Sequence, residues 1–416
     1  MHGGARQTAL GPVAEAERIA SLDVLRGVAV LGILVINIQW FAMIFTALFN
    51  PTAYGDLTGA NLWVWRLSHL LAEQKFMTIF SLLFGAGVVL MTQRAEAKSF
   101  STARVYYRRT LWLILFGLLH GYLLWYGDIL FLYGVCGLLV YLLWKKSPRG
   151  LLLLGLLALA VPSGMLFVLG LTTPLWPPDA VRQVTESWLP PAEKIAAEVA
   201  AYQGGWVAQM QHRVAAALQG QIGELAILGL GRAGGLMLMG MGLYQLGVFS
   251  AARSRAFYGG MVAVGGLVGL PLVAYGMHRN FAAGWDVRYS MFLGAQWNYW
   301  GSVLVSGMWV GLVMLACRSR TWQPLTRPLA AVGQMAFTNY ILQTVICTFI
   351  FYGHGLGLFG TVSRVQQITI VFAVWVLQLV VSPLWLRSFQ FGPLEWLWRS
   401  LTYLQLAPLR RRGTAQ

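Results

Sequence analysis

Residues 28–48 of the chain read VAVLGILVINIQWFAMIFTAL, an apolar run without a charged side chain. A transmembrane helix needs roughly 20 apolar residues, whereas the apolar core of a cleavable signal peptide is shorter. We therefore expect this segment to be kept as the first membrane span. The rest of the chain has the same character, because 57% of its 416 residues are hydrophobic and only 11% are charged. This composition excludes an ordinary soluble domain and predicts an all-α, polytopic bundle of transmembrane helices.

Nine further segments match the same length and hydrophobicity pattern. The ten predicted spans are residues 24–48, 70–93, 109–127, 128–144, 150–171, 222–247, 256–278, 296–316, 330–353 and 365–387. The third and fourth spans nearly join, but Gly127 and Asp128 interrupt the apolar run. We expect a tight turn at this point, with the chain entering the membrane again.

The basic residues predict the orientation of these spans, because Lys and Arg in short loops are retained on the cytoplasmic side. They cluster in alternate connections, at Arg6, Arg18, Arg94, Lys98, Arg104, Arg108, Arg109, Lys145, Lys146, Arg149, Arg253, Arg255, Arg318, Arg320, Arg327, Arg387, Arg399 and Arg410 to Arg412. We therefore expect a multi-pass protein of a bacterial plasma membrane with both termini in the cytoplasm. The net charge of +16 reflects this topology, and we expect a lipid bilayer rather than a nucleic acid as its partner.

The predicted spans divide the chain into five regions. These are a cytoplasmic tail at 1–23, five spans within 24–171, an extracytoplasmic connection at 172–221, five spans within 222–387 and a cytoplasmic tail at 388–416. In the connection, apolar residues recur at three- and four-residue spacing and predict an amphipathic helix that is interrupted near Gly204 and Gly205. This helix either rests at the membrane interface or forms a lid over an external site.

Ionisable side chains within predicted spans are candidates for function, because they are costly to bury in lipid. His120 follows Arg109 by eleven residues, which places it about 16 Å into a hydrocarbon core of about 30 Å. A histidine near the midplane is suited to act as a general base, although a hydrogen-bonded structural role is equally compatible. Asp128 would share its helix face, and Lys75, at comparable depth near the external side, would pair with Asp128.

The first span offers a second group of polar residues. Asp23 and Arg26 are three residues apart at its cytoplasmic end, and Asn37 lies beyond the midplane. Arg26, together with Arg108 and Arg109, has the chemistry to hold a phosphate, although topology alone also explains the last two.

Two further polar features lie in the second half. Thr338, Asn339 and Gln343 form a polar stripe, which is either interhelical contact or part of a ligand site. Arg232 and Glu224 are a candidate structural pair. The three cysteines lie in apolar runs, so we predict no metal site and no bound cofactor.

Several motifs resemble those of the YeiB-type bacterial inner-membrane proteins, a family defined by domains of unknown function. They are Arg18-Ile-Ala-Ser-Leu-Asp23-Val-Leu-Arg26-Gly27, Asn50-Pro51, Tyr54-Gly55, Lys75-Phe76, Phe80-Ser-Leu-Leu-Phe84-Gly85-Ala-Gly87, Gly117-Leu-Leu-His120-Gly121, Trp125-Tyr-Gly127-Asp128, Gly333-Gln-Met-Ala-Phe-Thr338-Asn339-Tyr340, Phe351-Tyr352-Gly353 and Gly392-Pro393-Leu-Glu395-Trp396-Leu-Trp398-Arg399. They cover nearly the whole predicted membrane region.

The first spans also resemble those of transmembrane acyltransferases, which include heparan-alpha-glucosaminide N-acetyltransferase and bacterial enzymes that O-acylate surface sugars. The shared feature is an Asp-x-x-Arg-Gly opening with a polar residue fourteen positions after the Asp. In the O-acylating enzymes that residue is a catalytic histidine, but here it is Asn37, which cannot accept a proton. The resemblance therefore implies another base, either His120 or His69, which precedes the second predicted span.

Acyl transfer is the function that this resemblance implies, from a cytoplasmic acyl-CoA such as acetyl-CoA to a small-molecule or glycan acceptor. Asp23 and Arg26, with Arg108 or Arg109, would hold the donor. His120 would act as the base, Asn37 would contact the thioester carbonyl, and Asp128 with Lys75 would form the external mouth. Export of a metabolite or lipid is the alternative, and a scaffold that binds lipid or protein is a third.

Overall fold

The computed structural model of the chain describes residues 19–97 and 102–411, apart from the side chains of residues 224–228. This part of the chain is predominantly helical and has no β-strand, only an isolated bridge between Phe389 and Arg410. The predicted all-α class is confirmed. Most of the predicted N-terminal tail and the end of the C-terminal tail, residues 412–416, lie outside the described residues.

The α-helices are numbered in chain order. They are α1 (Ala20–Ala42), α2 (Gly59–Leu71), α3 (Lys75–Ala97), α4 (Thr102–Leu119), α5 (Leu130–Val140), α6 (Pro148–Thr172), α7 (Pro178–Trp188), α8 (Ala192–Gln203), α9 (Met210–Gln219), α10 (Gly235–Gln245), α11 (Arg255–Val264), α12 (Leu270–Ala282), α13 (Val287–Ser290), α14 (Ala295–Cys317), α15 (Gln323–Gln334), α16 (Ala336–Phe351), α17 (Arg364–Ser388) and α18 (Pro393–Tyr403). Three π-helical segments extend α4, α9 and α11, at His120–Leu124, Gly220–Gly234 and Gly265–Gly269.

Within the described ranges, six helical segments are long and apolar enough to cross a membrane. They are Ala20–Ala42, Gly59–Ala97, Pro148–Leu175, Arg255–Ala282, Val287–Cys317 and Arg364–Ser388. A seventh results if Arg320–Gln334 and Ala336–Phe351, which meet at a bend of 82°, are counted as one span. The chain is therefore a membrane protein, but the prediction of ten spans is wrong.

The missing spans are apolar segments that the structure divides into shorter or more polar helices. The predicted span 128–144 contains only the short apolar helix Leu130–Leu143, which covers about 21 Å of a core of about 30 Å. The predicted span 109–127 begins with an arginine, and its α-helix ends at Leu119. Hydrophobicity alone does not reveal such breaks, because a broken helix and a continuous one have the same composition.

Close backbone contact between α1 and α15 fixes the start of the first span. A Cβ atom at Gly27 would lie 1.9 Å from the carbonyl oxygen of Leu329, and one at Gly333 would lie 1.8 Å from that of Asp23. Neither position has room for a side chain. This packing holds Asp23 and Arg26 beside the bend between α15 and α16.

The connection at 172–221 contains α7, α8 and α9 instead of a single amphipathic helix. Helix α8 ends at Gln203, where the glycine pair predicted an interruption. Tyr202, its penultimate residue, is buried against the rings of Tyr352 and Phe359. This connection therefore packs on the ends of the bundle helices and covers them.

Candidate functional site

A cavity of about 350 Å³ opens at one end of the bundle, between α1, α3, α4, α5, α16 and α18. Four arginines line it, Arg26, Arg94, Arg109 and Arg399, and we call it the arginine cavity. Arg26 is in the second turn of α1 and Arg94 in the last turn of α3. The arginines therefore surround its entrance, where they form a favourable site for an anionic group such as a phosphate.

Three of the four predicted donor-binding residues meet at this entrance. Asp23 and Arg26 form an ion pair, with 3.0 Å between Oδ1 and Nη1. The guanidinium of Arg109 stacks 3.8 Å from the ring centroid of Trp398, whose indole N–H donates to the Arg109 carbonyl oxygen at 2.9 Å. Arg108 does not line the cavity. Arg108 precedes Arg109 on α4, and its side chain leaves the helix axis in a direction about 100° from that of Arg109.

Helix α18 contributes residues that the sequence assigned to a cytoplasmic tail. Glu395, Trp398 and Arg399 all line the arginine cavity. The motif from Gly392 to Arg399 could have identified these residues in the sequence. It follows the last predicted span, however, and was therefore assigned to a tail. The helix folds back against α4 and α16 and forms part of the entrance.

The carboxylate of Glu395 stabilises the break between α15 and α16. It accepts hydrogen bonds from the backbone N–H groups of Phe337 and Thr338, at 2.7 and 3.1 Å, and from the Thr338 hydroxyl. These N–H groups are unpaired in the first turn of any helix, and the positive end of α16 favours a carboxylate. Thr338 thus binds Glu395, a residue of the cavity lining, whereas Asn339 and Gln343 of the predicted polar stripe contact other helices.

Beyond the arginines, the wall of the cavity is mainly apolar. The lining includes Ile33, Phe80, Leu83, Phe84, Val88, Met91, Leu113, Ile129 and Leu130. Tyr133 and Tyr340 stand at the inner end, on α5 and α16. A charged entrance and an apolar interior match an amphiphile with an anionic head and an apolar chain.

His120 lies behind this inner end and is hydrogen-bonded at both ring nitrogens. Its Nδ1 is 2.8 Å from Asp128 Oδ1, and its Nε2 is 2.9 Å from Thr344 Oγ1. The His120 and Asp128 side chains are 1% and 2% exposed, so water does not compete for these contacts. With an ionised Asp128, the proton of a neutral imidazole lies on Nδ1, and Nε2 accepts from the Thr344 hydroxyl. Nε2 is thus the nitrogen available to take a proton.

The pairing of His120 with Asp128 depends on a helix end and a chain reversal. A π-helical segment begins at His120 and ends at Leu124, and π turns occur often at functional sites. After the turn, Asp128 Oδ2 accepts from the backbone N–H of Phe131 at 2.8 Å, at the start of α5. A Cβ atom at Gly117 would lie 2.8 Å from that same oxygen. His120 and Asp128 therefore do not meet on one face of a helix, as their eight-residue spacing suggested, but across the turn that the sequence predicted.

Tyr340 separates His120 from the arginine cavity. Its ring lines the cavity and its centroid lies 5.2 Å from that of His120. His120, Asp128 and Thr344 do not themselves line the cavity. The cavity therefore ends one side chain short of the histidine.

Lys75 belongs to a second polar cluster and not to a pair with Asp128. Its ammonium donates to Asn298 Oδ1 and to the carbonyl oxygen of His69, both at 2.6 Å. Glu73, which the sequence reasoning missed, accepts from Asn298 Nδ2 at 3.0 Å and contacts His69 Nδ1 at 2.6 Å. His69, the rival base, is therefore committed to this cluster, which does not line the arginine cavity.

The other predicted polar groups connect helices. Gln343 donates to the Val30 carbonyl and to Gln378 Oε1, and Asn339 donates to Ser382 Oγ. These bonds join α16 to α1 and α17.

Arg232 donates to the Tyr299 carbonyl oxygen and to Ser302 Oγ, at 3.0 and 2.8 Å. Its predicted partner Glu224 has a side chain outside the described part. Asn37 is buried in α1, one turn beyond the cavity residue Ile33, and does not line the cavity.

Aromatic rings close the bundle on the side of His120 opposite the cavity. Trp125 is fully buried, stacks on Phe41 with 4.0 Å between ring centroids, and lies 6.1 Å from His120. Tyr126 connects this group to Tyr202 of α8, at 6.0 Å. Helix α8 therefore covers the far side of the histidine.

Comparison with known proteins shows similarity along nearly the whole chain. Residues 243–405 match the family described as a protein of unknown function (DUF418). The uncharacterized protein YeiB of Escherichia coli strain K12 is 34% identical over 405 residues, which cover 94% of this chain and 98% of that protein. The uncharacterized protein YxaH of Bacillus subtilis strain 168 is 30% identical over 414 residues, or 97% and 99% of the two chains. An uncharacterized 39.9 kDa protein from the amylase 3′ region of Bacillus acidopullulyticus is 27% identical over 420 residues.

Proposed function

The chain belongs to the YeiB-type DUF418 family, and within that family of unknown function we propose that it is a membrane-bound acyltransferase. The donor is an acyl-CoA in the arginine cavity, and the acceptor is a hydroxyl or amine of a small molecule or glycan. One observation carries the proposal, namely that a cavity with an arginine entrance and an apolar interior ends one side chain from a His120–Asp128 pair.

Donor binding follows from the two parts of the cavity. Arg26, Arg94, Arg109 and Arg399 contact the phosphates of the CoA portion through charge-assisted hydrogen bonds. The pantetheine arm of CoA occupies the apolar part and brings the thioester to the inner end of the cavity, beside Tyr340. Asp23 orients Arg26 through their ion pair. The adenosine of CoA stays outside the entrance.

The reaction needs only a base and the two substrates. Tyr340 moves aside, and the acceptor hydroxyl or amine takes the place of the Thr344 hydroxyl at His120 Nε2. The acceptor atom attacks the thioester carbonyl carbon while its proton passes to Nε2. The tetrahedral intermediate then breaks its C–S bond, and the departing CoA thiolate takes the proton back from His120. Asp128 holds the Nδ1–H throughout and stabilises the imidazolium.

The same proposal implies how the protein is oriented in the membrane. The arginine entrance faces the cytoplasm, in agreement with the retention of basic residues on that side of a bacterial plasma membrane. Acyl-CoA is then drawn from the cytoplasm, and the acceptor reaches His120 from the opposite side, beneath α8. Both termini lie in the cytoplasm in this arrangement.

Donor binding is the first test. Acyl-CoA binding to the detergent-solubilised full chain is measured by calorimetry for the wild type, Arg26→Gln and Arg255→Gln. Loss of one charge-assisted contact predicts roughly a tenfold to hundredfold weaker binding by Arg26→Gln. Arg255 is exposed and outside the cavity, so its variant should bind like the wild type. Absence of acyl-CoA binding by the wild type would exclude the proposal.

Release of free CoA thiol, with glucosamine as acceptor probe, tests the chemistry. His120→Gln should reduce the rate about a hundredfold or more while its donor affinity stays unchanged. His278→Gln is the matched control, because His278 is exposed and does not line the arginine cavity. Equal rates for wild type and His120→Gln would remove His120 from the mechanism.

Transport of an anionic amphiphile is the second candidate. The observation in its favour is that the cavity opens at one end only, whereas Trp125, Tyr126 and Tyr202 close the other. A transporter open to one side has this shape. Accumulation of intact acyl-CoA in proteoliposomes, without thiol release, would favour it over acyl transfer.

A further inference from the structure

Arg66 of α2 lies at the end of the bundle opposite the arginine cavity. Arg94 lines that cavity from the last turn of α3, and α3 has 23 residues between Lys75 and Ala97. At roughly 1.5 Å for each residue this helix is about 34 Å long, so it crosses a hydrocarbon core of about 30 Å. Helix α2 precedes Lys75. Arg66 is therefore at the level of the lipid head groups on the other side of the membrane.

Aromatic rings from two helices hold the guanidinium of Arg66. Its Cζ is 5.2 Å from the ring centroid of Trp63 in α2 and 5.7 Å from that of Phe281 near the end of α12. Such cation–π contacts position the charge and leave the N–H groups at the edge of the guanidinium available. In the described part of the chain, Arg66 forms no hydrogen bond and no ion pair.

Other arginines at this end of the bundle donate to oxygen atoms of the chain. Arg182 of α7 contacts Asp179 at 2.9 Å, and Arg364 donates to the carbonyl oxygen of Asp56 at 2.7 Å. Their charges are therefore balanced or hydrogen-bonded within the protein. Arg66 differs from them, because its donors are free to bind an anion.

A second cavity, of about 310 Å³, lies beside this guanidinium between α2 and α12. We call it the Arg66 cavity. Its lining includes Trp63, Arg66, Leu67, Met277 and Phe281, and none of the described residues that line it is acidic. A single positive charge among apolar side chains thus sets its electrostatic character.

The surface next to the Arg66 cavity is apolar toward the middle of the membrane. Leu67, on its rim, is 51% exposed. Leu270 lies seven residues before Met277 and therefore on the same face of its helix, and Leu267 of the adjoining π-helical segment is 78% exposed. A lipid chain that extends from the cavity into the core would contact these side chains.

We infer that the Arg66 cavity binds the phosphate of an anionic phospholipid, with an acyl chain of that lipid against α12. A guanidinium presents donors that match a phosphate. The lining has no carboxylate for the ammonium of a zwitterionic head group, which favours a lipid with net negative charge. The position at head-group level and the adjoining apolar surface favour a lipid over a soluble phosphate. This inference goes beyond the proposed function and does not rest on it.

Native mass spectrometry of the full chain in a non-ionic detergent provides the test. The probes are dioleoyl phosphatidylglycerol and dioleoyl phosphatidylcholine, each titrated against the delipidated protein. The wild type should bind phosphatidylglycerol more tightly than phosphatidylcholine. Arg66→Gln removes the charge-assisted contact, so one phosphatidylglycerol should bind about tenfold more weakly or worse, and the preference for this lipid should fall.

Control variants separate the Arg66 cavity from other basic surfaces. Arg182→Gln removes a positive charge from the same end at a side chain that is 69% exposed, and it should bind phosphatidylglycerol like the wild type. Arg26→Gln identifies any lipid that occupies the arginine cavity, and its effect should add to that of Arg66→Gln. Trp63→Leu keeps the charge and removes one of the two rings, so it should weaken binding less than Arg66→Gln.

Three outcomes would overturn the inference. Equal losses in Arg66→Gln and Arg182→Gln would show that only the net charge of this surface attracts the lipid. Glycerol phosphate is the second arm, and displacement of phosphatidylglycerol by an equal concentration of it would assign the cavity to a soluble phosphate. A dimer that is present in the wild type and lost in Arg66→Gln would assign it to a second copy of the chain.

Discussion

Two histidine–carboxylate pairs with buried histidines lie in the described part of this protein, and they differ in what surrounds them. His120 Nδ1 is 2.8 Å from Asp128 Oδ1, and His69 Nδ1 is 2.6 Å from Glu73 Oε2. His69 and His120 are both largely excluded from solvent. On chemistry and distance alone, either pair is a candidate for general base catalysis.

The His69–Glu73 pair is part of a helix break. Lys75 donates to the His69 carbonyl near the end of α2, and Asn298 of α14 connects Lys75 to Glu73. Gln74, between α2 and α3, has a φ of 64°, a left-handed conformation that is unfavourable for a residue with a side chain. Such a break leaves unpaired helix carbonyls, and the cluster satisfies them. The charged groups of this cluster therefore stabilise the break between α2 and α3.

The His120–Asp128 pair contacts Thr344 and lies beside Tyr340, which lines a cavity. Its Nε2 contacts the neutral hydroxyl of Thr344, which the acceptor replaces in the proposed reaction. The comparison indicates that a buried ionisable pair is a candidate for catalysis when a cavity approaches it, whereas burial and pairing alone also describe a structural cluster.

Removal of Lys75 should have the largest effect on stability. Lys75→Ala leaves the His69 carbonyl oxygen and Asn298 Oδ1 without their hydrogen-bond donor, and each unsatisfied buried acceptor costs about 1–3 kcal/mol. We expect a large fall in the detergent unfolding temperature with no change in acyl-CoA affinity of the folded fraction. Lys145→Ala, at a side chain that is 75% exposed, is the control and should leave unfolding unchanged. A Lys75 variant of wild-type stability would assign this cluster a role other than structure.

Neutral replacement of the two carboxylates compares the clusters directly. Asp128→Asn should lower the rate of CoA release about a hundredfold, because the imidazolium loses its negative partner. Glu73→Gln should lower the unfolding temperature and leave the rate of the folded fraction unchanged. The two variants are compared by thiol release at equal folded concentration. Equal rate losses in both would contradict the division into a reactive and a structural pair.

Thr344→Val should have a smaller effect, on stability and not on rate. Valine keeps the shape of threonine, but His120 Nε2 loses its hydrogen-bond partner, which costs about 1–3 kcal/mol for a buried group. Since the acceptor takes the place of this hydroxyl in the proposed reaction, CoA release should remain close to that of the wild type. A rate as low as that of His120→Gln would instead make Thr344 part of the proton path.

The sequence predicted the class of the protein and some of its site, but not the breaks in its helices. Hydrophobicity identified the apolar segments, yet it did not show that one predicted span bends by 82° at Met335. The sequence also did not predict all the residues at the entrance of the arginine cavity, for a related reason. Helix α18 follows the last span in the chain, and only its return against α4 brings Trp398 and Arg399 to the site.

The spacing of residues in the sequence predicted ion pairs correctly where both partners lie on one helix, as for Asp23 and Arg26. It did not predict partners across the bundle. Lys75 was expected to pair with Asp128 because both lie near the same depth, but depth does not specify which helix face meets which. Glu73 was overlooked although it is two residues from Lys75 and lies in the first turn of the predicted span 70–93. Partners such as Asn298 and Thr344 are set by helix packing.

Substitution of Glu198 in α8 should have the smallest effect, because this carboxylate is bound by a backbone N–H group. Its Oε1 accepts from the backbone N–H of Phe45 at 2.9 Å, in contrast to the histidine partners of Asp128 and Glu73. Burial raises the pKa of the Glu198 carboxyl above its usual value of 4.5. Stability from this group is therefore present at low pH and lost as the pH rises through the raised pKa.

Glu198→Gln keeps an acceptor for the Phe45 N–H group without the charge. It should therefore raise the unfolding temperature by about one or two degrees at neutral pH and leave it unchanged below pH 4.5. Unfolding curves of both proteins across this range measure the effect, and a Gln variant that is less stable at neutral pH would indicate that a cation stabilises the ionised carboxylate.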